Sequence, residues 1–180
     1  MAQSQNGWDA YSDYGDPALV SNPTIPGIAV QVLGGLRSGN VATVLLWIAA
    51  QFNARVEPVL QEQGVWGFEP RPIRGSSELS NHASGTAEDL NSARHPLGAS
   101  GTFTAAQVNT IHGILAQCDG VVRWGGDYSG RVDEMHFEIN DGPSAVAALA
   151  AKLNGTPLDW FDSATAAEVR AAVHDGFLIT

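Results

Sequence analysis

Two short stretches carry the residue types that chemistry needs. The first is Ser80-Asn81-His82-Ala83-Ser84-Gly85-Thr86-Ala87-Glu88-Asp89, and the second is Asp133-Glu134-Met135-His136-Phe137-Glu138. Together they offer two histidines and an aspartate as metal ligands, with spare carboxylates beside them. Three protein ligands with a fourth position left to water make up a catalytic zinc site. His82 and Asp89 are seven residues apart, so on one straight strand they would face opposite sides. Gly85 lies between them and permits a backbone conformation that other residues avoid, which lets the chain fold back. Ala83, Ser84 and Ala87 are small enough to leave room for that return.

The second stretch leaves two candidates for a general base. In a regular strand Glu134, His136 and Glu138 share a face while Asp133 points away. Strand parity therefore nominates Glu134. Asp133 reaches the same point only if the chain bends before the strand begins, and Tyr128-Ser129-Gly130 offers such a bend. The remaining histidines have plainer readings. His112 sits mid-helix, His174 sits near a helix end, and His95 falls in a solvated loop, Arg94-His95-Pro96.

The paired motif resembles a zinc peptidase family, that of D-alanyl-D-alanine carboxypeptidases and L-alanyl-D-glutamate endopeptidases. The family signature is S-x-H-x-x-G-x-A-x-D followed by D/E-x-x-H, and both halves stand in this chain. Trp124-Gly125-Gly126-Asp127 and His136-Phe137-Glu138 also resemble its bacteriophage lysin members. The resemblance spans roughly residues 28–154. It implies that His82, Asp89 and His136 hold Zn2+ and that Asp133 is the general base. It implies that Arg71 or Arg74 binds a substrate carboxylate or the developing oxyanion, and that Ser80 supports the ligands from behind. The implied substrate is a bacterial peptidoglycan peptide. The implied activity is hydrolysis of a stem-peptide bond, of the L-alanyl-D-glutamate endopeptidase type. A D-alanyl-D-alanine carboxypeptidase and a non-catalytic zinc-containing wall-binding module are the alternatives. Glu88 departs from the pattern, since an aliphatic residue is usual before that aspartate. It is costly if it faces a core and harmless if it faces cleft or solvent.

Several elements must position these residues. Val41, Val44, Leu45, Ile48 and Phe52 fall at helical spacing behind Asn40, a good N-cap, and Pro58 closes that helix. Trp47 is expected in the same core. Thr104 and Gln107 form a capping box, with Phe103 placed to staple onto Val108. Val108, Ile111, Leu115 and Cys118 make the buried stripe of that second helix, and Asp119-Gly120 stops it. Cys118 reads as a small buried hydrophobe. Ile28–Leu33, Val121–Trp124 and Met135–Ile139 read as short strands. Pro143 opens a third helix at its first position and Asn154-Gly155 closes it. Thr165 and Glu168 cap a further short helix. No βαβ nucleotide motif is present. The expected class is α+β, with a small, mostly antiparallel sheet carrying the zinc site and helices packed on it. The expected organisation is an extended, loosely held arm over 1–27, a peptidase domain over 28–154 and a C-terminal helical extension over 155–180.

The bulk properties bound the partners. A chain of 180 residues with 44 % hydrophobic residues can bury a core of its own. A net charge of −10 with only 9 Lys and Arg argues against nucleic acid or an anionic membrane surface as the main partner. The single Cys118 excludes an intramolecular disulfide. No apolar run is long enough to insert in a membrane. Residues 1–16 are polar and acidic, unlike a secretory signal. The expectation is synthesis in a host cytoplasm and action on the cell wall.

Overall fold

Helix α1 (Asn40–Arg55) is the centre of the core. The computed structural model describes residues 2–154 of the chain. The capping box and helix expected over 165–176 lie outside the described residues. Val41, Val44, Leu45, Ile48 and Phe52 are buried as the spacing predicts, and Trp47 is half-buried against them. Ala42, Ala49 and Ala50 widen the apolar face, so α1 can be covered from several sides. The N-cap differs from expectation. Gly39, with φ 75°, takes that position, and Asn40 is already the first helical residue.

Helices α2 (Ala105–Leu115) and α3 (Pro143–Asn154) both pack against α1. Both hydrogen bonds of the Thr104–Gln107 capping box are made. Ile111 and Ile114 are the buried residues of α2, with Val108 and Leu115 only partly covered. Cys118 is fully buried, and burial pushes its thiol up to about 12.

The described residues form an α+β fold with two small antiparallel sheets. A two-residue pair joins β1 (Leu19–Val20) to β2 (Leu36–Arg37). The sheet that carries the motifs has the order β3 (Ala87–Asp89), β5 (His136–Ile139), β4 (Val122–Trp124). Its register sets Asp89 opposite His136 and Ala87 opposite Glu138. Side chains alternate between faces. Asp89, His136 and Glu138 therefore share the outer face, while Phe137 and Ile139 face α1. Phe137 meets Phe52 edge-on at 5.9 Å and stacks on Trp124 at 6.4 Å. The strand expected over Ile28–Leu33 is not continuous. Gln31 bridges to Thr24 and Leu33 to Trp66, so no single partner runs beside the segment.

The N-terminal arm is extended but firmly held. Ser4 Oγ donates to Ser84 Oγ at 2.7 Å, and the Tyr11 N–H donates to the Ala83 carbonyl at 2.8 Å. The Asn6 amide donates to Thr86 Oγ1 and to the Ile139 carbonyl at 2.8 and 2.9 Å. Arg37 lies over the Trp8 and Tyr11 rings at 5.0 and 4.7 Å, a cation–π clamp. These bonds fix the arm across the back of the first motif.

Glu88 pairs with Phe137 in the register and so points to the core face. It is 0 % exposed, and neither carboxyl oxygen has a hydrogen-bond partner among the described residues. Burial pushes its pKa well above the ordinary range, Asp89 adds to the rise and His136 opposes it. The folded chain thus keeps a proton that the unfolded chain releases above about pH 4.3. That contribution to stability is complete below this value and is lost as pH rises toward the raised pKa. Glu88→Met keeps the volume and removes the buried carboxyl. Urea denaturation should show it more stable than the parent by about 1–3 kcal/mol at pH 8, with a smaller gain at pH 5. A gain that does not depend on pH would contradict a protonated Glu88.

Candidate metal centre

The first motif makes a tight turn before it reaches the sheet. Residues 81–84 form one turn of 3-10 helix, and Ser80 caps it by accepting the His82 N–H. Gly85 ends the turn with φ 66°, a left-handed conformation. A Cβ there would come within 2.6 Å of the Arg37 amide nitrogen, so the position needs glycine on two counts. The chain then enters β3 and presents Asp89 beside His82.

The second motif bends at its start. The His136 N–H donates to the Asp133 carbonyl at 3.1 Å, closing a turn over Asp133–His136. The bend is therefore at Glu134-Met135, later than the Tyr128-Ser129-Gly130 run on which the sequence reading placed it. Gly125 allows it, because a Cβ at that residue would collide with the Asp133 carbonyl. The turn sends the two acidic side chains to different places. Asp133 lines the cleft shared by His82 and His136. Glu134 accepts from the Gly101 and Thr102 N–H groups at 2.7 and 2.8 Å and from the Thr102 hydroxyl. Burial opposes its ionisation, but these Thr102 and Gly101 donors hold the Glu134 carboxyl below its usual range.

Three ligand atoms converge, and all three residues are buried. His82 Nε2 is 3.1 Å from His136 Nδ1 and 3.3 Å from Asp89 Oδ1, and His136 Nδ1 is 3.0 Å from Asp89 Oδ1. A tetrahedral ion with ligands at about 2.0–2.1 Å sets them about 3.3–3.4 Å apart. The donor set thus fits zinc in both chemistry and spacing.

Each histidine is held from its far side. His82 Nδ1–H donates to the Gly67 carbonyl at 2.6 Å, leaving the Nε2 lone pair for the site. His136 Nε2–H donates to Glu138 Oε2 at 3.1 Å, leaving Nδ1 for the site. Such supporting bonds fix tautomer and ring orientation. Glu138 is itself held by Asn81, by Arg123 and by the Tyr128 hydroxyl at 2.6 Å. Burial opposes ionisation of Glu138, yet His136, Tyr128 and Asn81 keep it well below the carboxylate range. Asp89 is likewise buried, and the two histidines hold it ionised. Burial disfavours a charged His136, but Asp89 and Glu138 outweigh it and raise the ring to about 10. The two carboxylates thus call a positive charge into the site, and a metal ion competes with that proton.

The arginines sit on the rim. Arg71 and Arg74 both line the cleft above His82, and Arg71 also bonds Glu69 at 2.7 Å. Arg131 joins them there. The sequence reading did not single out Arg131, and it did not expect the side chains of Glu138, Asn81, Arg123 and Tyr128 to bond one another behind His136. The spacing of Glu138, two residues past His136, was the available signal, since it fixes a shared strand face.

A family model described as D-alanyl-D-alanine carboxypeptidase matches residues 74–139. That span is less than half of the chain and begins at Arg74. It contains His82, Asp89, Asp133, His136 and Glu138. Helix α1, Arg71 and the N-terminal arm fall outside it. No curated protein and no solved structure matches the chain. Similarity to a peptidase family thus coincides with the part of the chain that brings His82, Asp89 and His136 together.

Glu138→Gln retains size and removes the charge behind His136. Competition with a chelator should give a zinc affinity about 10–100-fold weaker than the parent's. The parent should hold about one zinc by elemental analysis, and His82→Ala or His136→Ala should abolish that stoichiometric binding. Unchanged affinity in the Glu138 variant would remove that carboxylate from the site.

Proposed function

We propose that this chain is a zinc-dependent peptidase that hydrolyses a peptide bond of peptidoglycan stem peptides. The reading rests on one observation. His82, Asp89 and His136 bring three ligand atoms to within 3.0–3.3 Å of one another, with both rings locked to face the same point. The family match supports the peptidase reading and the substrate class. When bound, zinc lowers the pKa of a water to about 7 and polarises a carbonyl oxygen.

The remaining chemistry belongs to side chains of the chain. Asp133 lines the same cleft and is the group placed to take a proton from the attacking water. Its Oδ1 is buried without a hydrogen-bond partner among the described residues, so no other side chain competes for that oxygen. Burial raises the Asp133 carboxyl to about 6, with Asp89 adding to the rise and His136 and His82 opposing it. A carboxyl near that value can accept a proton and return it to the leaving amine nitrogen. Glu134 is committed to the 101–102 backbone, so it is the poorer base despite its strand parity. Arg71 and Arg74, at the rim, are placed to bind a substrate carboxylate or the developing oxyanion.

Two clefts meet at the site. One, of about 240 Å³, holds the arginines, His82 and His136, and the other, of about 500 Å³, reaches Asp89. Arg71 and Met135 line both. A substrate chain can therefore run past the ligands in two directions, which favours an endopeptidase, and among these the L-alanyl-D-glutamate type of phage endolysins. The second reading is a D-alanyl-D-alanine carboxypeptidase. The gathering of Arg71, Arg74 and Arg131 in one cleft favours it, because a terminal carboxylate needs cations. Digestion of purified peptidoglycan with mass spectrometry of the fragments separates the two by the bond cut.

Asp133→Ala should keep its zinc and lose about a hundredfold or more in turnover, the usual scale of acid–base catalysis. Glu134→Ala should keep most of its turnover and lose stability, because two backbone N–H groups lose their acceptor. Asp133 must be ionised to work, so kcat/KM should rise with pH, pass through half its limit near pH 6 and level off above it. A dead, zinc-loaded Glu134 variant beside an active Asp133 variant would reverse the assignment.

A further inference from the structure

The wider cleft has a lining unlike that of its neighbour. Trp66 and Tyr14 are the exposed large hydrophobic residues among those described, at 49 % and 54 %. Both line this one cleft. Trp66 stands there by register. Its N–H donates to the Asp89 carbonyl at 3.0 Å, and it accepts the Asp89 N–H at 2.8 Å. Residues that exchange both bonds in an antiparallel pair lie directly opposite, with side chains on the same face. The indole is therefore the immediate neighbour of a metal ligand. Tyr14 comes from the N-terminal arm and packs edge-on against Phe68 at 5.1 Å, two residues beyond Trp66. The arm is fastened to the motif loop, so Tyr14 is held in place rather than loose in solvent.

Polar groups complete the lining. Asn22 and Ser92 offer amide and hydroxyl groups. Asn22 accepts the Gly34 N–H through Oδ1 at 2.9 Å, so its amide nitrogen is not used in that bond. The cations gather in the other cleft. Here Arg71 is shared and already paired with Glu69. A neutral ligand with flat C–H faces and many hydroxyl or amide groups fits such a lining, and a sugar ring has those properties.

We propose that the Trp66–Tyr14 cleft is a saccharide subsite that takes the N-acetylated sugar to which the stem peptide is attached. The inference rests on the peptidase reading and extends it. In a stem peptide the first L-alanine is amide-linked to the lactyl group of N-acetylmuramic acid. A bond cut just after that residue leaves the sugar one residue plus the lactyl bridge, about 7 Å of chain, from the reacting carbonyl. The contact between Trp66 and Asp89 matches that short reach. The D-glutamate carboxylates on the other side of the bond then fall toward Arg71, Arg74 and Arg131. A bond at the far end of the stem peptide would place the sugar roughly 10 Å or more away.

The test uses the zinc-loaded full chain and two probes. The first probe is an N-acetylmuramyl tripeptide, compared with the same tripeptide carrying only an acetyl cap. The parent should prefer the sugar-linked peptide in kcat/KM, mainly through KM. The preference should fall about tenfold for each ring removed in Trp66→Ala and Tyr14→Ala. The second probe is chitotetraose, followed by NMR of the indole N–H groups. It should shift one indole signal, and Trp66→Ala should remove that signal. Tyr14→Ala keeps the test alive if Trp66→Ala fails to fold. Equal kcat/KM on both peptides, with no indole shift, would overturn the subsite and leave the peptidase reading standing. Saccharide binding at Trp66 without hydrolysis of either peptide would support the subsite and overturn the peptidase reading.

Discussion

The antiparallel register of β3 on β5 is the constraint on which everything else depends. It places Asp89 opposite His136 and Ala87 opposite Glu138. A slip of one residue would turn Glu88 and Phe137 into the cleft and drive the ligands into the core. Aromatic packing fixes the register, because Phe137 is held between Phe52 and Trp124. The same strand therefore serves two purposes through its two faces. One face completes the apolar core and the other carries the candidate metal site. Trp66 extends the pairing by one more segment, and so the cleft wall is registered to Asp89 as well.

The outer face also has to solve the problem of a buried charge. Glu138 is 1 % exposed, and a buried carboxylate is expensive unless it is fully hydrogen-bonded. Asn81, Arg123, Tyr128 and His136 all converge on it. Asn81 is oriented in turn by the Asn6 N–H, which donates to its Oδ1 at 2.9 Å. The N-terminal arm is thus part of the support of His136, a candidate metal ligand, three bonds removed. Glu88 is the contrast. It is as deeply buried one strand away, but on the apolar face, where none of the described residues bonds its carboxyl oxygens. One carboxylate is held ionised and the other is held protonated, and only the face of the sheet separates them.

A similar division separates Asp133 from Glu134. They are adjacent in sequence, and a single turn sends one to the cleft and the other to the 101–102 loop. Burial and the neighbouring Asp89 carboxylate raise the first, while donated hydrogen bonds lower the second. Groups with opposite environments can take opposite roles without any difference in chemical type. The turn also anchors Met135 between the two clefts, where it lines both.

The local parts of this protein were legible in its sequence. Helical spacing found α1 and its buried face, and the capping box found the start of α2, because both signals repeat within a few residues of chain. The α+β class followed from helices that alternate with short strands. His82, Asp89 and His136 stood out because metal ligation restricts residue type and the Gly85 turn restricts spacing. Tertiary structure decided what depends on contacts far along the chain. Parity favoured Glu134, but a turn bonded to Gly125 overrode it, and no periodicity reports where a strand begins. The burial of Glu88 followed from its pairing with Phe137, 49 residues away in the sequence. The role of Glu138 required Asn81, Arg123 and Tyr128 to arrive from three separate segments. The arm became fixed through contacts with distant residues, among them Arg37, Leu79, residues 81–86, Ile139 and Asp141. Sequence determines what a segment can form by itself, and folding determines which groups meet, since that depends on register and on long-range pairing.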